Sequence, residues 1–264
     1  MGATRRRRCS GPVVVSSALV VQVLAHAKLT LSLRITGVRD DGYHLIDAEM
    51  VTLDLADELT IDPSASGLTS NGPYSAGMPV DGTNLIARAL RLAGRDAAVH
   101  VSKQIPHGGG LGGGSADAAA VLRWAGFNNL LAASKLGADV PFCLVGGRAR
   151  VRGIGEIITP LSRRLQRFTL IIPPLACSTP AVYRAWDALG GPRSDGPNDL
   201  EAAAFVVEPK LAHWRDRITE AVGTPPVLAG SGATWFVDGH HDSLQDALPE
   251  ARVLLTATKR ENMP

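Results

Sequence analysis

The sequence predicts an α+β protein. Stretches with period-two alternation, such as residues 23–35 (VLAHAKLTLSLRI) and 98–103, read as strands. Runs with helical spacing, such as 84–92 and 210–222, are interspersed among them rather than gathered at one end. Between one strand and an alanine-rich helix lies the stretch 105–126, IPHGGGLGGGSADAAAVLRWAG. Six of the seven residues from Gly108 to Gly114 are glycine, Leu111 being the exception.

Strand, glycine loop and helix in that order build an anion site. Glycines reach positive φ and let a ligand approach the backbone closely. The unpaired N–H groups of the first helical turn, at the positive end of the macrodipole, then face phosphate oxygens. Ser115 is the expected N-cap, with Asp117 in the first turn. A flexible linker is the plain alternative, but linkers do not usually join a strand to so strong a helix former. No Gly-Lys-Ser or Gly-Lys-Thr follows, which excludes a Walker A loop. Gly108, Gly110 and Gly113 satisfy G-x-G-x-x-G, as any run this rich in glycine does. The acidic residue that a dinucleotide fold needs about 20 residues further on is missing.

The strand elements follow in order. The alternation over 23–35 gives a core strand, and GVRDDGYH (37–44) a turn-rich loop. Residues 45–62 read as two strands with a turn near Asp57, and 63–82, rich in Pro, Gly and Ser, as a hairpin or excursion loop. Asn84 caps a helix over 84–92. In 136–145 Pro141 forbids a long helix, and 147–160 reads as strand, Gly-x-Gly turn and strand. A basic connector at 162–166 marks the expected boundary between domains 19–162 and 163–264. Beyond it come a strand (FTLIIPP), helices from TPAVYRAWDAL, NDLEAAAFVV and PKLAHWRDRITEAV, a strand–turn–strand in PPVLAGSGATWFVDG, a helix at 244–248 and a last strand.

Composition bounds the function. Apolar content of 45% and charged content of 20% are those of a soluble globular protein. Net charge is only +2 and four arginines are bunched at 5–8, so the body is nearly neutral and nucleic acid is not an expected partner. Cys9, Cys143 and Cys177 are odd in number, lack metal-ligand spacing and point to a reducing compartment. His240 and His241 read as a solvated loop. Residues 5–27 mimic a secretory signal, but cleavage after Ala27 would cut the first strand in half. The apolar run 13–24 is too short to span a bilayer. We expect residues 1–18 to be a disordered extension or a misassigned start, and the protein to be cytoplasmic, a monomer or a homodimer.

Four motifs carry a resemblance: AKLTLSLRITGVRDDGYH, PHGGGLGGGSADAAAVL, LGADVPF and AGSGATWFV. Together they resemble the GHMP small-molecule kinases over nearly everything from Val20 to Thr258. With DGYH (41–44), GADVPF (137–142) and TPAVY (179–183), the sequence is most similar to the branch acting on 4-diphosphocytidyl-2-C-methyl-D-erythritol. The resemblance implies a ribosomal-protein-S5-like N-terminal domain, a ferredoxin-like C-terminal domain and a site in the cleft between them. It implies ATP with Mg²⁺, the phosphates lying over Pro106, Gly108, Gly109, Gly110, Leu111, Gly112, Gly113, Gly114 and Ser115. The loop of Gly230, Ser231 and Gly232 would close on them. Asp139 matches the catalytic base and Lys28 its partner at the substrate's 2-hydroxyl. Tyr43, His44, Thr179 and Tyr183 match positions around the cytosine, and Thr30 lies beside the reacting hydroxyl. Asn84 matches a polar residue near ATP, or is a plain cap, or both. Ser115 could cap its helix and also reach Mg²⁺ or a phosphate. Asn198 and Asp199 match a family motif and read as capping residues.

Three departures stand out. Thr30 replaces the usual Asn, Ala116 replaces a common second serine, and the chain between Trp124 and Leu136 is shorter than the family norm.

Overall fold

The computed structural model describes residues 19–260; the expectations for residues 1–18 lie outside the described residues. The first part of the chain forms β1 (Val21–Val38), β2 (His44–Asp62), β3 (Gly67–Asn71), α1 (Leu85–Leu92), β4 (Ala98–Ser102), α2 (Gly113–Trp124), α3 (Leu130–Ser134), α4 (Val140–Val145), β5 (Arg148–Gly153) and β6 (Ile157–Pro160). Its six strands make one sheet in the order β3-β4-β2-β5-β6, with β1 also paired to β2. The second part forms β7 (Arg167–Ile172), α5 (Thr179–Ala188), α6 (Glu201–Val207), α7 (Lys210–Val222), β8 (Val227–Leu228), β9 (Trp235–Asp238), α8 (Leu244–Ala247) and β10 (Arg252–Ala257). Its antiparallel sheet runs β10-β7-β9-β8, with helices between β7 and β8 and between β9 and β10. That is the βαββαβ order of a ferredoxin-like unit, as the resemblance implied.

The expected turn near Asp57 is absent. Residues 44–62 are one 19-residue strand, in which Asp57 pairs with Ala25 of β1 and is fully buried. The polar residues that resemble a turn signal are used in tertiary contacts instead. Asp54 accepts hydrogen bonds from the Thr256 hydroxyl and the Ala257 amide of the second sheet. Of the excursion 63–82, only β3 is regular, and it lies parallel to β4.

The core explains the alanine run. Ala116, Ala118, Ala119 and Ala120 are all buried, and α2 packs on β1, β2, α1 and α4. Small side chains let this helix lie close to four neighbours at once. Ala116 is therefore a core residue, and a serine hydroxyl there would enter the packing.

The two sheets are joined at two places. Leu33 of β1 bridges to Asn198, and Leu53 of β2 bridges to Thr258. At the first, Asp199 accepts from Arg34 Nη1 at 2.7 Å and from the Ile35 amide at 2.9 Å.

Candidate active site

β1 delivers the lysine. Its register shifts between His26 and Lys28, and from Ala27 to Thr30 every residue is buried. Ala27 and Leu29 enter the core, while Lys28 and Thr30 face the cleft between the sheets. Lys28 Nζ lies 3.2 Å from Asp139 Oδ2 and donates to Thr30 Oγ1 at 3.1 Å. Threonine in place of the usual asparagine thus still holds the ammonium. Asp139 stands just before α4, in the N-cap position, yet its carboxylate makes no capping bond and is turned to Lys28 instead. Pro141 sits in the first turn of α4, where its missing N–H costs nothing.

The glycine loop is stitched to the same strand, since the Lys28 amide donates to Leu111 O at 3.0 Å. Here the cap expectation is corrected. α2 starts at Gly113, and the residue before it is Gly112 in the left-handed conformation at φ +70°. Because glycine adopts that conformation without strain, the helix begins early and Ser115 becomes its third residue. Asp117 is the fifth and is buried rather than lying in the first turn. A Cβ on Gly112 would come within 2.8 Å of Lys28 Cγ, so side chain and loop exclude anything larger.

The loop of Gly230, Ser231 and Gly232 meets the glycine loop from the other sheet. A Cβ on Gly230 would lie 3.7 Å from Lys28 Nζ, and one on Gly110 would lie 2.1 Å from Ala229 O. Asn198 holds this second loop, its Nδ2 donating to Leu228 O at 2.9 Å and Gly230 O at 2.7 Å. Asn198 does accept from the Leu200 amide, but capping is the lesser part of what it does. Asp199 ties β1 to the same segment. Thr179 Oγ1 and Ser231 Oγ, 2.7 Å apart, join the start of α5 to the loop.

Gly110→Ala is expected to lower kcat/KM for ATP at least tenfold, because the carbonyl it meets is backbone and cannot rotate away. Gly108 also has a positive φ (+72°), but nothing lies within 4 Å of its Cβ position. Gly108→Ala should therefore cost only the left-handed strain, about 1–2 kcal/mol in stability. Steady-state kinetics on the pair decide it: equal losses would remove the role of loop contact.

Lys28, Thr30, Asp139, Gly110, Gly230, Ser231, Thr179, Tyr43, His44 and Tyr183 all line one cavity of about 480 Å³. The other expected phosphate-loop residues lie outside its wall, with Pro106 buried behind the loop. Asn84 caps α1 by accepting from the Ile86 amide at 2.8 Å, and the next residue, Leu85, lies against Gly114.

The aromatic wall is built around His44. Its ring centroid is 4.7 Å from that of Tyr183 and 5.6 Å from that of Trp186, and its Nε2 is 2.7 Å from Asp187 Oδ1. Tyr43 stands at the rim, 58% exposed. Burial pushes the Tyr183 phenol above its ordinary range, and the Asp139 charge adds to it. Tyr183 therefore remains a hydroxyl donor. The Cys143 thiol of α4 is pushed up to about 12, mainly by burial and then by Asp139, which keeps it unreactive.

One group escaped the sequence reading. Lys103, just past β4, ion-pairs with Asp57 and, at 2.7 Å, with Asp117. Asp57 also accepts from the Gln104 and Ile105 amides. A Cβ on Gly113 would be 3.4 Å from Lys103 Nζ, so the triad lies directly under the start of α2. Burial raises the Asp117 carboxyl to about 7 against the pull of Lys103, with Asp57 adding to the rise. The signal in the sequence was a lysine at an inward position of an alternating strand.

Residues 84–147 match the family model for the GHMP kinases N terminal domain. A Paracoccus denitrificans protein named 4-diphosphocytidyl-2-C-methyl-D-erythritol kinase is 41% identical over 236 residues, covering 80% of this chain and 84% of its own. The chain belongs to the GHMP kinases. A Cereibacter sphaeroides relative with the same name is 37% identical over 246 residues, covering 82% of this chain and 88% of its own. The crystal structure of a 4-(cytidine 5'-diphospho)-2C-methyl-D-erythritol kinase superposes with a TM-score of 0.72 at 32% identity, over 91% of this chain and all of that one. An L. major mevalonate kinase, at 13% identity and a TM-score of 0.65, shares the fold. This GHMP kinase is thus a small-molecule kinase using ATP. No helix among its described residues is long and apolar enough to cross a membrane.

Proposed function

We propose that this kinase transfers the γ-phosphoryl group of ATP to the 2-hydroxyl of 4-diphosphocytidyl-2-C-methyl-D-erythritol, in the cytoplasm, as a step of non-mevalonate isoprenoid precursor biosynthesis. The observation that carries the reading is the 3.2 Å pair of Lys28 and Asp139, set between the glycine loop and an aromatic-lined cavity. Phosphoryl transfer is mostly positioning and charge stabilisation. The amides at the start of α2 and the facing loop around Gly230 hold the triphosphate. Asp139 takes the proton of the 2-hydroxyl, Lys28 orients that oxygen and balances its growing charge, and the oxygen displaces ADP from the γ-phosphorus. Tyr43, His44 and Tyr183 receive the cytosine, with Thr30 and Thr179 lining the path between base and hydroxyl.

Among the described residues no group of three or more His, Cys, Asp or Glu could hold a metal ion. Mg²⁺ that arrives on ATP needs no such cage, because phosphate oxygens and water fill most of its shell. Ser115, in the first turn of α2, would join that shell, and the ion would supply charge neutralisation between the phosphates.

Release of ADP should be measured with the cytidine substrate, with mevalonate and with homoserine. Turnover is expected with the first alone; turnover of mevalonate and none of the cytidine compound would overturn the assignment. Tyr43 is exposed enough that Tyr43→Ala removes little packing. Stacking contributes roughly 1–3 kcal/mol per base, so the cytidine substrate's KM should rise about tenfold to a hundredfold while that of ATP stays put. Equal changes in both would remove the stacking role.

A further inference from the structure

Arg123 lies in the last turn of α2, ten residues and so about 15 Å along the axis from Gly113. It borders a groove of about 1030 Å³ between the two sheets, which shares no wall residue with the cavity of Lys28 and Asp139. Three parts of the chain bring positive charge into it: Arg123 from α2, Arg163 and Arg167 from the connector and the start of β7, and Lys259 and Arg260 from the segment after β10, while His26 of β1 also lines the wall. The Lys259 amide donates to Thr52 O at 2.8 Å, which fixes that last segment against β2.

The groove has almost no compensating negative charge. Among the described residues its wall contains one carboxylate, Asp54, already engaged by the Thr256 hydroxyl and the Ala257 amide. Arg123, Arg167, Lys259 and Arg260 have no carboxylate partner among the described residues. Arg123 gives one of its guanidinium donors to the Cys143 carbonyl. The like charges act on one another: burial, then Arg123 and Arg163, hold the Lys259 ammonium below its ordinary range. Burial, then Lys259 and Arg123, do the same to His26. These cations are solvent-exposed, and gathering them around one groove whose single carboxylate is already engaged concentrates a positive field there that an entering anion would relieve.

We propose that this groove is a second anion site, separate from the phosphate loop, that takes a diphosphate group, either free or carried on an ester. In a diphosphate the terminal phosphoryl group brings about −1.5 to −2 charges at neutral pH and the inner one about −1, enough to offset most of the charge of Arg123, Arg167, Lys259 and Arg260. Guanidinium forks from Arg123 and Arg167 suit the tetrahedral oxygens of one phosphoryl group, and Lys259 and Arg260 suit the other.

The test is calorimetric titration of the full chain, with the nucleotide site first saturated with ADP. Inorganic pyrophosphate, a simple alkyl diphosphate and orthophosphate are titrated in turn. One equivalent of pyrophosphate should bind beside ADP, and orthophosphate at least tenfold more weakly. Equal binding of the alkyl diphosphate assigns the diphosphate alone as the recognised group, and tighter binding assigns an ester. Lys259→Gln with Arg260→Gln should weaken pyrophosphate at least tenfold, leaving ADP affinity and the unfolding midpoint unchanged. Pyrophosphate that no longer binds once ADP is present, orthophosphate that binds as tightly, or a double variant with unchanged affinity would each overturn the site.

Discussion

Asp139→Asn is expected to lower kcat by roughly 10²–10⁴-fold while leaving the KM of ATP within about a factor of two, the usual range for loss of a positioned general base. Asparagine keeps the shape and the contact with Lys28, but it has no site for the hydroxyl proton. The fold should not suffer, because the carboxylate caps no helix and its side chain is 30% exposed. A fall in kcat and kcat/KM together is the signature of an interaction made only in the transition state. Lys28→Met should be comparably inactive, and the double variant little worse than either single one, because the pair acts as a unit. A kcat for Asp139→Asn within tenfold of wild type would remove the base from the mechanism.

Lys103→Met should destabilise the protein by about 3–5 kcal/mol near neutral pH, the cost of leaving a buried charge without its partner. Two carboxylates rely on that one ammonium. Asp57 would retain the Gln104 and Ile105 amides, whereas Asp117 would keep no cation. Asp117 already has a carboxyl raised to about 7. A raised carboxyl contributes its full share below the ordinary carboxylate pKa and loses it as pH climbs toward the folded value. Removing the lysine raises that value further, so the deficit of Lys103→Met should be smaller near pH 5 than near pH 8. Denaturant midpoints at the two pH values measure it; a deficit under about 1 kcal/mol at both would show the triad to be dispensable. Since the triad underlies Gly113, the variant should also weaken ATP binding.

The sequence made legible those features that local chemistry dictates. Alternation placed β1, β4 and the β5–β6 pair, and Asn84 was recognisable as the cap of α1 because a side chain and an amide two residues on suffice. Lys28 and Asp139 were nominated by motif alone, and nothing in their spacing of more than a hundred residues shows that they meet at 3.2 Å. Where partners are distant the reading failed. Asp57 mimicked a turn because its partners, Lys103, Gln104 and Ile105, come from the segment just past β4. Asn198 passed for a cap because the carbonyls it holds are some thirty residues on, at Leu228 and Gly230. The cap was placed three residues late, at Ser115, because the conformation of Gly112, not side-chain preference, sets where α2 begins.

The two bridges between the sheets constrain how this enzyme admits its substrates. Pins at Leu33–Asn198 and again at Leu53–Thr258 define one line, so any swing of one half against the other is confined to rotation about it. Admission of substrates then combines a hinge about that line with the exposed stretch that carries Tyr43 at the rim of the cavity.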